Sequence, residues 1–166
     1  MTKFDELLGT MLLNSKGEEV FTSTALEGKK YVMLYFSAHW CPPCRAFTPL
    51  LAEAYNAHIK YLNETNTAEG AEVKAEQNST GEIEVIFISL DSAVSEYEQY
   101  RSTMPWFSVP HAILWRLNIK DEVRSIPTLV ILDGESGEVI TRNGKGEYST
   151  YFKGDYQVAS SGCTVS

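Results

Sequence analysis

Two short runs of this chain are almost unbroken in their apolar character: Lys30-Tyr31-Val32-Met33-Leu34-Tyr35-Phe36 and Glu84-Val85-Ile86-Phe87-Ile88-Ser89-Leu90. Continuous hydrophobicity over so few residues suits a strand covered on both faces, as the inner strands of an α/β sheet are. Ser125-Ile126-Pro127-Thr128-Leu129-Val130-Ile131-Leu132 reads as a third such strand, with a proline at its entry. Between the first two runs, apolar residues recur at Phe47, Leu50, Leu51, Ala54, Ile59 and Leu62, the spacing of one helix face. Pro49 predicts a kink in that helix without ending it. Asp91 and Ser92 are placed to cap a second helix from about Ala93 to Thr103. The segment Met104 to Pro110 then leads to a helix near Ala112 to Asn118. A hairpin precedes all of these, Met11–Leu13 and Glu19–Phe21 around a turn at 14–17, followed by a short helical turn within Thr24 to Gly28. Another hairpin returns through the turn 133–137 into Glu138–Arg142 at the sheet edge. Alternating strands and helices predict an α/β fold, a central mixed sheet flanked by helices with an N-terminal β-hairpin.

Residues 63–81 are polar and hold almost no apolar anchor, which predicts an exposed loop. The expected layout is a single domain over 1–152 and a flexible tail over 153–166. At 166 residues and 43% hydrophobic content the chain can bury one sizeable core. Its formal charge of −8 argues against a nucleic-acid partner, which would need clustered Lys and Arg. The first residues, Met1-Thr2-Lys3-Phe4-Asp5-Glu6, lack the apolar stretch of an export signal, and with three cysteines a disulfide-stapled secreted fold is not expected. A cytoplasmic setting follows as the expectation. The sequons at Asn63 and Asn78 would then stay unmodified.

The chemistry is concentrated in Trp40-Cys41-Pro42-Pro43-Cys44, between the first buried strand and the helix. Two intervening residues let the sulfurs bond only if the backbone turns at the first cysteine, and a helix start supplies that turn. Pro42 and Pro43 fit the first helical positions, where a missing N–H is harmless and the fixed φ is already helical. The free amides and positive dipole end of the helix stabilise a thiolate at Cys41, the expected nucleophile. Cys44, inside the first turn, is placed to resolve a mixed disulfide formed there. The other reading of a C-x-x-C pair is half of a zinc site, which needs two more ligands. Only Cys163, His39, His58 and His111 remain to supply them, and they form no second close pair.

Three separated segments, Phe36 to Pro49, Met104-Pro105-Trp106 with Val109-Pro110, and Ser125-Ile126-Pro127-Thr128-Leu129, resemble the tryparedoxin and nucleoredoxin branch of the thioredoxin superfamily. The resemblance spans roughly residues 10 to 145 and implies a thioredoxin fold. It implies an exposed nucleophile at Cys41, a resolving cysteine at Cys44, and a cis-proline at Pro127 that sets the Ile126 backbone beside the dithiol to pair with substrate. Trp40 and Trp106 match aromatics near the active-site face, although packing alone would equally explain Trp106. Arg124 stands where tryparedoxins carry an acidic residue, which alters what can dock. Thioredoxin's buried aspartate is replaced by Tyr35, so the proton on Cys44 needs another acceptor. His39 admits two readings, a group that raises the thiolate population when protonated or a solvated loop residue.

Together these features predict a dithiol–disulfide oxidoreductase that reduces protein or small-molecule disulfides, is reset by an upstream dithiol or reductase, and needs no cofactor or metal. The alternative is a redox-sensitive binding module with the dithiol as its switch. At the terminus, Cys163-Thr164-Val165-Ser166 fits a C-a-a-X farnesylation signal. The stretch before it has a single basic residue and no second cysteine, so a prenyl group on Cys163 would give only weak membrane association.

Overall fold

The computed structural model describes residues 3–67, 82–117 and 123–156, with only the backbone of 61–67 and 153–156. Seven strands form one mixed sheet: β1 (Met11–Leu13), β2 (Glu19–Phe21), β3 (Tyr31–Ser37), β4 (Ile83–Ser89), β5 (Phe107–Ser108), β6 (Thr128–Asp133) and β7 (Val139–Thr141). Their order across the sheet is β2-β1-β5-β4-β3-β6-β7. The helices are α1 (Lys3–Leu8), α2 (Thr22–Ala25), α3 (Pro42–Thr67), α4 (Val94–Arg101) and α5 (Gly144–Tyr156), with a 3₁₀ helix at His111–Arg116.

β3 is central. It pairs in parallel with β4 from Tyr31 opposite Ile83 to Ser37 opposite Ser89, and antiparallel with β6 from Tyr31 opposite Asp133 to Phe36 opposite Thr128. Because successive side chains of a strand point to opposite faces, its near-continuous apolar run divides between two cores. Val32, Leu34 and Phe36 join Leu8, Leu12, Leu26 and Leu114 on the face covered by α1, α2 and the 3₁₀ helix. Met33 and Tyr35 join Phe47, Leu51, Tyr55, Tyr97, Trp106 and Phe152 on the face covered by α3, α4 and α5.

Several boundaries differ from the sequence expectation. The helix through Pro49 continues to Thr67, so residues 63–67 of the segment expected as loop are helical, and 68–81 lie outside the described residues. Helix α4 starts at Val94 after Ala93, with no side chain capping it. Asp91 is committed elsewhere, to the active-site loop. The helix expected near Ala112 is the 3₁₀ turn. The third strand begins at Thr128 instead of Ser125, because cis-Pro127 precedes it.

Helix α5, which the sequence reading did not mark, runs to Tyr156, four residues past the expected domain end. Its sequence, GKGEYSTYFKGDY, is rich in poor helix formers, so tertiary contacts hold it. Phe152 is fully buried, Tyr151 meets Tyr31 edge-on at 5.0 Å and Tyr148 meets Phe47 at 5.4 Å. Gly144 starts the helix where a Cβ would lie 2.5 Å from the Leu129 carbonyl oxygen, so only glycine permits this approach to β6.

Polar groups are buried at the end of β3 and β4 remote from the dithiol. Glu84 accepts a hydrogen bond from the Tyr55 hydroxyl at 2.6 Å, with Lys29 Nζ 3.5 Å from its other oxygen. Nearby, His58 is fully buried and its Nε2 accepts the Glu82 amide at 3.2 Å. Burial pushes the His58 pKa from 6.5 down to about 4. The native state therefore holds the neutral ring, and the stability this confers is complete above the unfolded value and lost as pH falls toward the folded one. At about 1.4 kcal/mol per unit the loss is about 3 kcal/mol. Urea midpoints measured from pH 7 to pH 4 should fall more steeply for the natural chain than for His58→Asn; parallel curves would refute the assignment.

Candidate active site

Strand β3 ends at Ser37, and the chain passes through Ala38, His39 and Trp40 to Cys41, immediately before α3. The Cys41 amide donates to the Ala38 carbonyl at 3.2 Å, closing the turn, and the Cys41 carbonyl accepts the Arg45 amide at 3.0 Å, opening the helix. Pro42 and Pro43 occupy the first two helical positions, as their fixed φ favours. The amide of Cys44 is left free by this arrangement and donates to Cys41 Sγ at 3.3 Å. The first sulfur thus caps its own helix, accepting a main-chain amide.

Both thiols are free. Cys41 exposes 5% of its surface and Cys44 none, so the nucleophile expected to be exposed presents only its edge. The Ile126–Pro127 peptide bond is cis, and Cys41 Sγ lies 3.9 Å from the Ile126 carbonyl oxygen. Ile126 is half-buried and packs against Ala38, Cys41 and Cys44, while Pro127 is buried. Cys41, Cys44, Ile126 and Pro127, drawn from distant parts of the sequence, therefore converge, with Trp40 at 56% exposure beside them.

Beneath Cys44 lies a group of buried hydroxyls. Tyr35 OH donates to the Cys44 carbonyl at 3.2 Å and lies 2.6 Å from Thr48 Oγ1, which also donates to that carbonyl at 2.9 Å. Thr48 Oγ1 is 2.7 Å from Tyr100 OH, and Tyr100 OH is 2.8 Å from Ser37 Oγ. Ser37 in turn acts on the Cys44 thiol, drawing its pKa down. Burial foremost, then the hydrogen bond to Cys41, pushes the Cys44 pKa up to about 11. Burial also pushes the Tyr35 and Tyr100 phenols above their ordinary value, so both stay protonated.

The loop is tied from outside by Asp91. Its carboxylate accepts the His39 amide at 2.9 and 3.1 Å and the Ser89 hydroxyl at 2.9 Å, and its own amide donates back to Ser89 Oγ at 2.9 Å. His39 is half-buried with its ring edge-on to Tyr100 at 5.7 Å, so it is not simply a solvated loop residue. Trp106 is fully buried between Tyr35 and Tyr55, at 5.9 and 5.5 Å, which makes it core and removes it from the active-site face. Arg124 is exposed just ahead of Ile126. Cys163 lies outside the described residues.

Sequence reasoning missed Asp91 as the loop's anchor, the hydroxyls of Ser37, Thr48 and Tyr100, and Trp115. The last is 76% exposed and lines, with Trp40, Leu90, His111 and Leu114, a cleft of about 650 Å³. Hydroxyl-bearing residues in otherwise apolar runs were the available signal for the buried cluster.

A helix-capping dithiol facing a cis-proline, on a mixed sheet covered on both sides by helices, defines a thioredoxin-fold protein. A family model described as Thioredoxin-like matches residues 28–139. Nucleoredoxin of Homo sapiens is 42% identical over 147 residues, covering 87% of this chain but 29% of that protein. Tryparedoxin of Trypanosoma brucei brucei is 37% identical over 134 residues, 79% of this chain and 78% of its own. The crystal structure of native tryparedoxin I from Crithidia fasciculata superimposes with a TM-score of 0.67 at 33% identity, covering 92% of this chain and 94% of that one. The chain belongs to the thioredoxin superfamily, in its tryparedoxin and nucleoredoxin-like branch. Homologues in this superfamily are thiol–disulfide oxidoreductases.

The two sulfurs should differ sharply in reactivity. In Cys41→Ser, Cys44 keeps most of its raised pKa, since burial is the larger cause. Its alkylation by iodoacetamide should climb about tenfold per pH unit and keep climbing beyond pH 9, where an ordinary cysteine levels off. A plateau at or below pH 9 would contradict the burial seen here.

Proposed function

We propose that this chain is a dithiol–disulfide oxidoreductase working mainly in the reducing direction in the cytosol, on disulfides of proteins or of a small dithiol carrier. The observation that carries the reading is the placement of Cys41 Sγ, which receives the Cys44 amide on one side and lies beside the Ile126 carbonyl on the other. The first contact aims a main-chain donor at the attacking sulfur. The second offers a main-chain acceptor to an extended segment bearing the disulfide, and Trp40 provides an apolar face next to it.

The reaction runs in two displacements. The Cys41 thiolate attacks one sulfur of the substrate, forming a mixed disulfide and releasing the other sulfur as a thiolate that takes a proton from solvent. Cys44 then gives up its proton and attacks Cys41 Sγ, which expels the second substrate thiolate. Two electrons have moved to the substrate and the chain holds a Cys41–Cys44 disulfide. An upstream dithiol or reductase restores the pair. The sulfurs carry both electrons, so no cofactor enters the cycle.

The substrate class is less constrained. One related structure is of tryparedoxin II complexed with glutathionylspermidine. For this chain, Arg124 beside the Ile126–Pro127 edge places positive charge where a polycationic thiol would approach, which favours a neutral or acidic disulfide.

With dithiothreitol as donor, the chain should reduce insulin disulfides, and Cys41→Ser should abolish turnover. In cell extract, Cys44→Ser should accumulate mixed disulfides that reductant releases, whereas Cys41→Ser should capture none. Capture by Cys41→Ser alone would reverse the two roles, and failure of the natural chain to reduce insulin or any small disulfide would reject the enzymatic reading.

A further inference from the structure

The second displacement poses a problem that the first does not. Cys44 is fully buried and its thiol is held protonated at neutral pH, yet it must become a thiolate to attack Cys41. Tyr35 stands where a carboxylate could have taken the proton, and Tyr35 itself donates to a carbonyl. Around the thiol, however, the hydroxyls are joined in one continuous path. Ser37 is the hydroxyl that draws the Cys44 pKa down against burial, Tyr100 OH is 2.8 Å from Ser37 Oγ, and Thr48 Oγ1 is 2.7 Å from Tyr100 OH. In both hydroxyl pairs either oxygen can be the donor. That property lets a hydrogen-bonded chain pass a proton by exchanging donors and acceptors, with no ionised intermediate held in the core.

The path also has an exit. Tyr100 and Thr48, with His39, Arg45, Pro49 and Gln99, line a surface cavity of about 340 Å³ on the flank between α3 and α4. Tyr100 therefore bridges the buried thiol and the solvent side. The other hydrogen bonds of the cluster, from Thr48 and Tyr35 to the Cys44 carbonyl, hold the helix turn that carries Cys44 over Ser37.

We propose that Ser37 and Tyr100 form the proton exit for the resolving cysteine, carrying the proton from Cys44 Sγ to solvent in the cavity beside His39. As Cys44 Sγ moves toward Cys41 Sγ, its proton passes to Ser37 Oγ, Ser37 passes its own to Tyr100 OH, and Tyr100 releases one to the cavity. Each hydroxyl gains one proton and loses one. The new S–S bond takes its electron pair from Cys44, and the departing substrate sulfur carries away the pair of the bond that breaks. Ser37 takes the proton of the reacting sulfur and Tyr100 acts through Ser37; neither touches substrate. The inference rests on the oxidoreductase reading and assigns the acceptor that this reading requires.

A disulfide with a chromophoric leaving thiol, 5,5′-dithiobis(2-nitrobenzoate), separates the two displacements. Attack by Cys41 releases the first thionitrobenzoate and resolution by Cys44 the second. Tyr100→Phe keeps the ring and removes the hydroxyl, and it should slow the second release about tenfold while leaving the first unchanged. Ser37→Ala should do the same, and the solvent deuterium isotope effect on the second release in the natural chain should change in both variants. Tyr97→Phe is the control, because this buried phenol donates to the Val109 carbonyl and lies outside the path; it should leave both releases and their isotope effect as they were. An unaltered second release in Tyr100→Phe and Ser37→Ala overturns the proton path, as does equal slowing of both releases. If the natural chain shows no second release at all, the oxidoreductase reading fails first, so the two failures are distinguishable.

Discussion

The double pairing of β3, parallel with β4 and antiparallel with β6, is the constraint on which the site depends. Ser37, paired with Ser89, is the last residue of that strand, and four residues later the chain must turn into α3 at Cys41. The same pairing lays the end of β6 alongside β3, which brings Ile126 and Pro127 to the turn from the opposite side. The adjacent end of β4 supplies Ser89 and Asp91, which bind the His39 amide. Three neighbouring strands thus each contribute one wall around the sulfurs. The reactive group sits outside the carboxyl ends of the parallel strands, where a twisted α/β sheet opens a crevice.

Within that frame, the face of the sheet under α3 mixes two purposes. It is one of the chain's two cores, packed with Tyr55, Phe87, Trp106 and Phe152, yet close to the sulfurs it carries four hydroxyl side chains. A buried hydroxyl without a partner costs about 1–3 kcal/mol. Here each hydroxyl is matched by another or by the Cys44 carbonyl, so the cluster avoids that loss while keeping a polar environment against the resolving thiol. Trp106 closes it from below by packing edge-on to Tyr35. The aromatic layer therefore excludes water from the underside of the site and leaves the cavity beside His39 as the open flank.

The sequence carried most of the frame because its signals are local. Unbroken apolar runs marked β3, β4 and β6, and the placement of Pro42 and Pro43 marked the start of α3. Cys41 and Cys44 could be singled out from their spacing alone, whereas the role of Pro127 came through family resemblance, since no local signal connects residue 127 with residue 41. What escaped was nonlocal. Asp91 resembled a helix cap, and only the folded chain shows its carboxylate turned to His39. Helix α5 has a poor intrinsic propensity and exists through Phe152, Tyr151 and Tyr148 docking on the sheet and α3. Tyr35 was legible as a substitution for a carboxylate, but its partner Thr48 and the Tyr100 that Thr48 meets in turn lie on two separate helices.

The three tryptophans occupy three distinct surroundings. Trp106 is fully enclosed in the core beneath Tyr35, Trp40 stands half in solvent next to Cys41, and Trp115 is mostly exposed across the cleft from it. Indole emission depends on local polarity and on nearby quenching sulfur, so the chain contains its own optical labels at three depths. Collisional quenchers reach Trp115 and Trp40 and miss Trp106. Trp40 stands where its emission can report on the neighbouring pair, and Trp106 where its emission can report on the core. Chemistry at the rim and unfolding of the interior can thereby be recorded from one unmodified molecule.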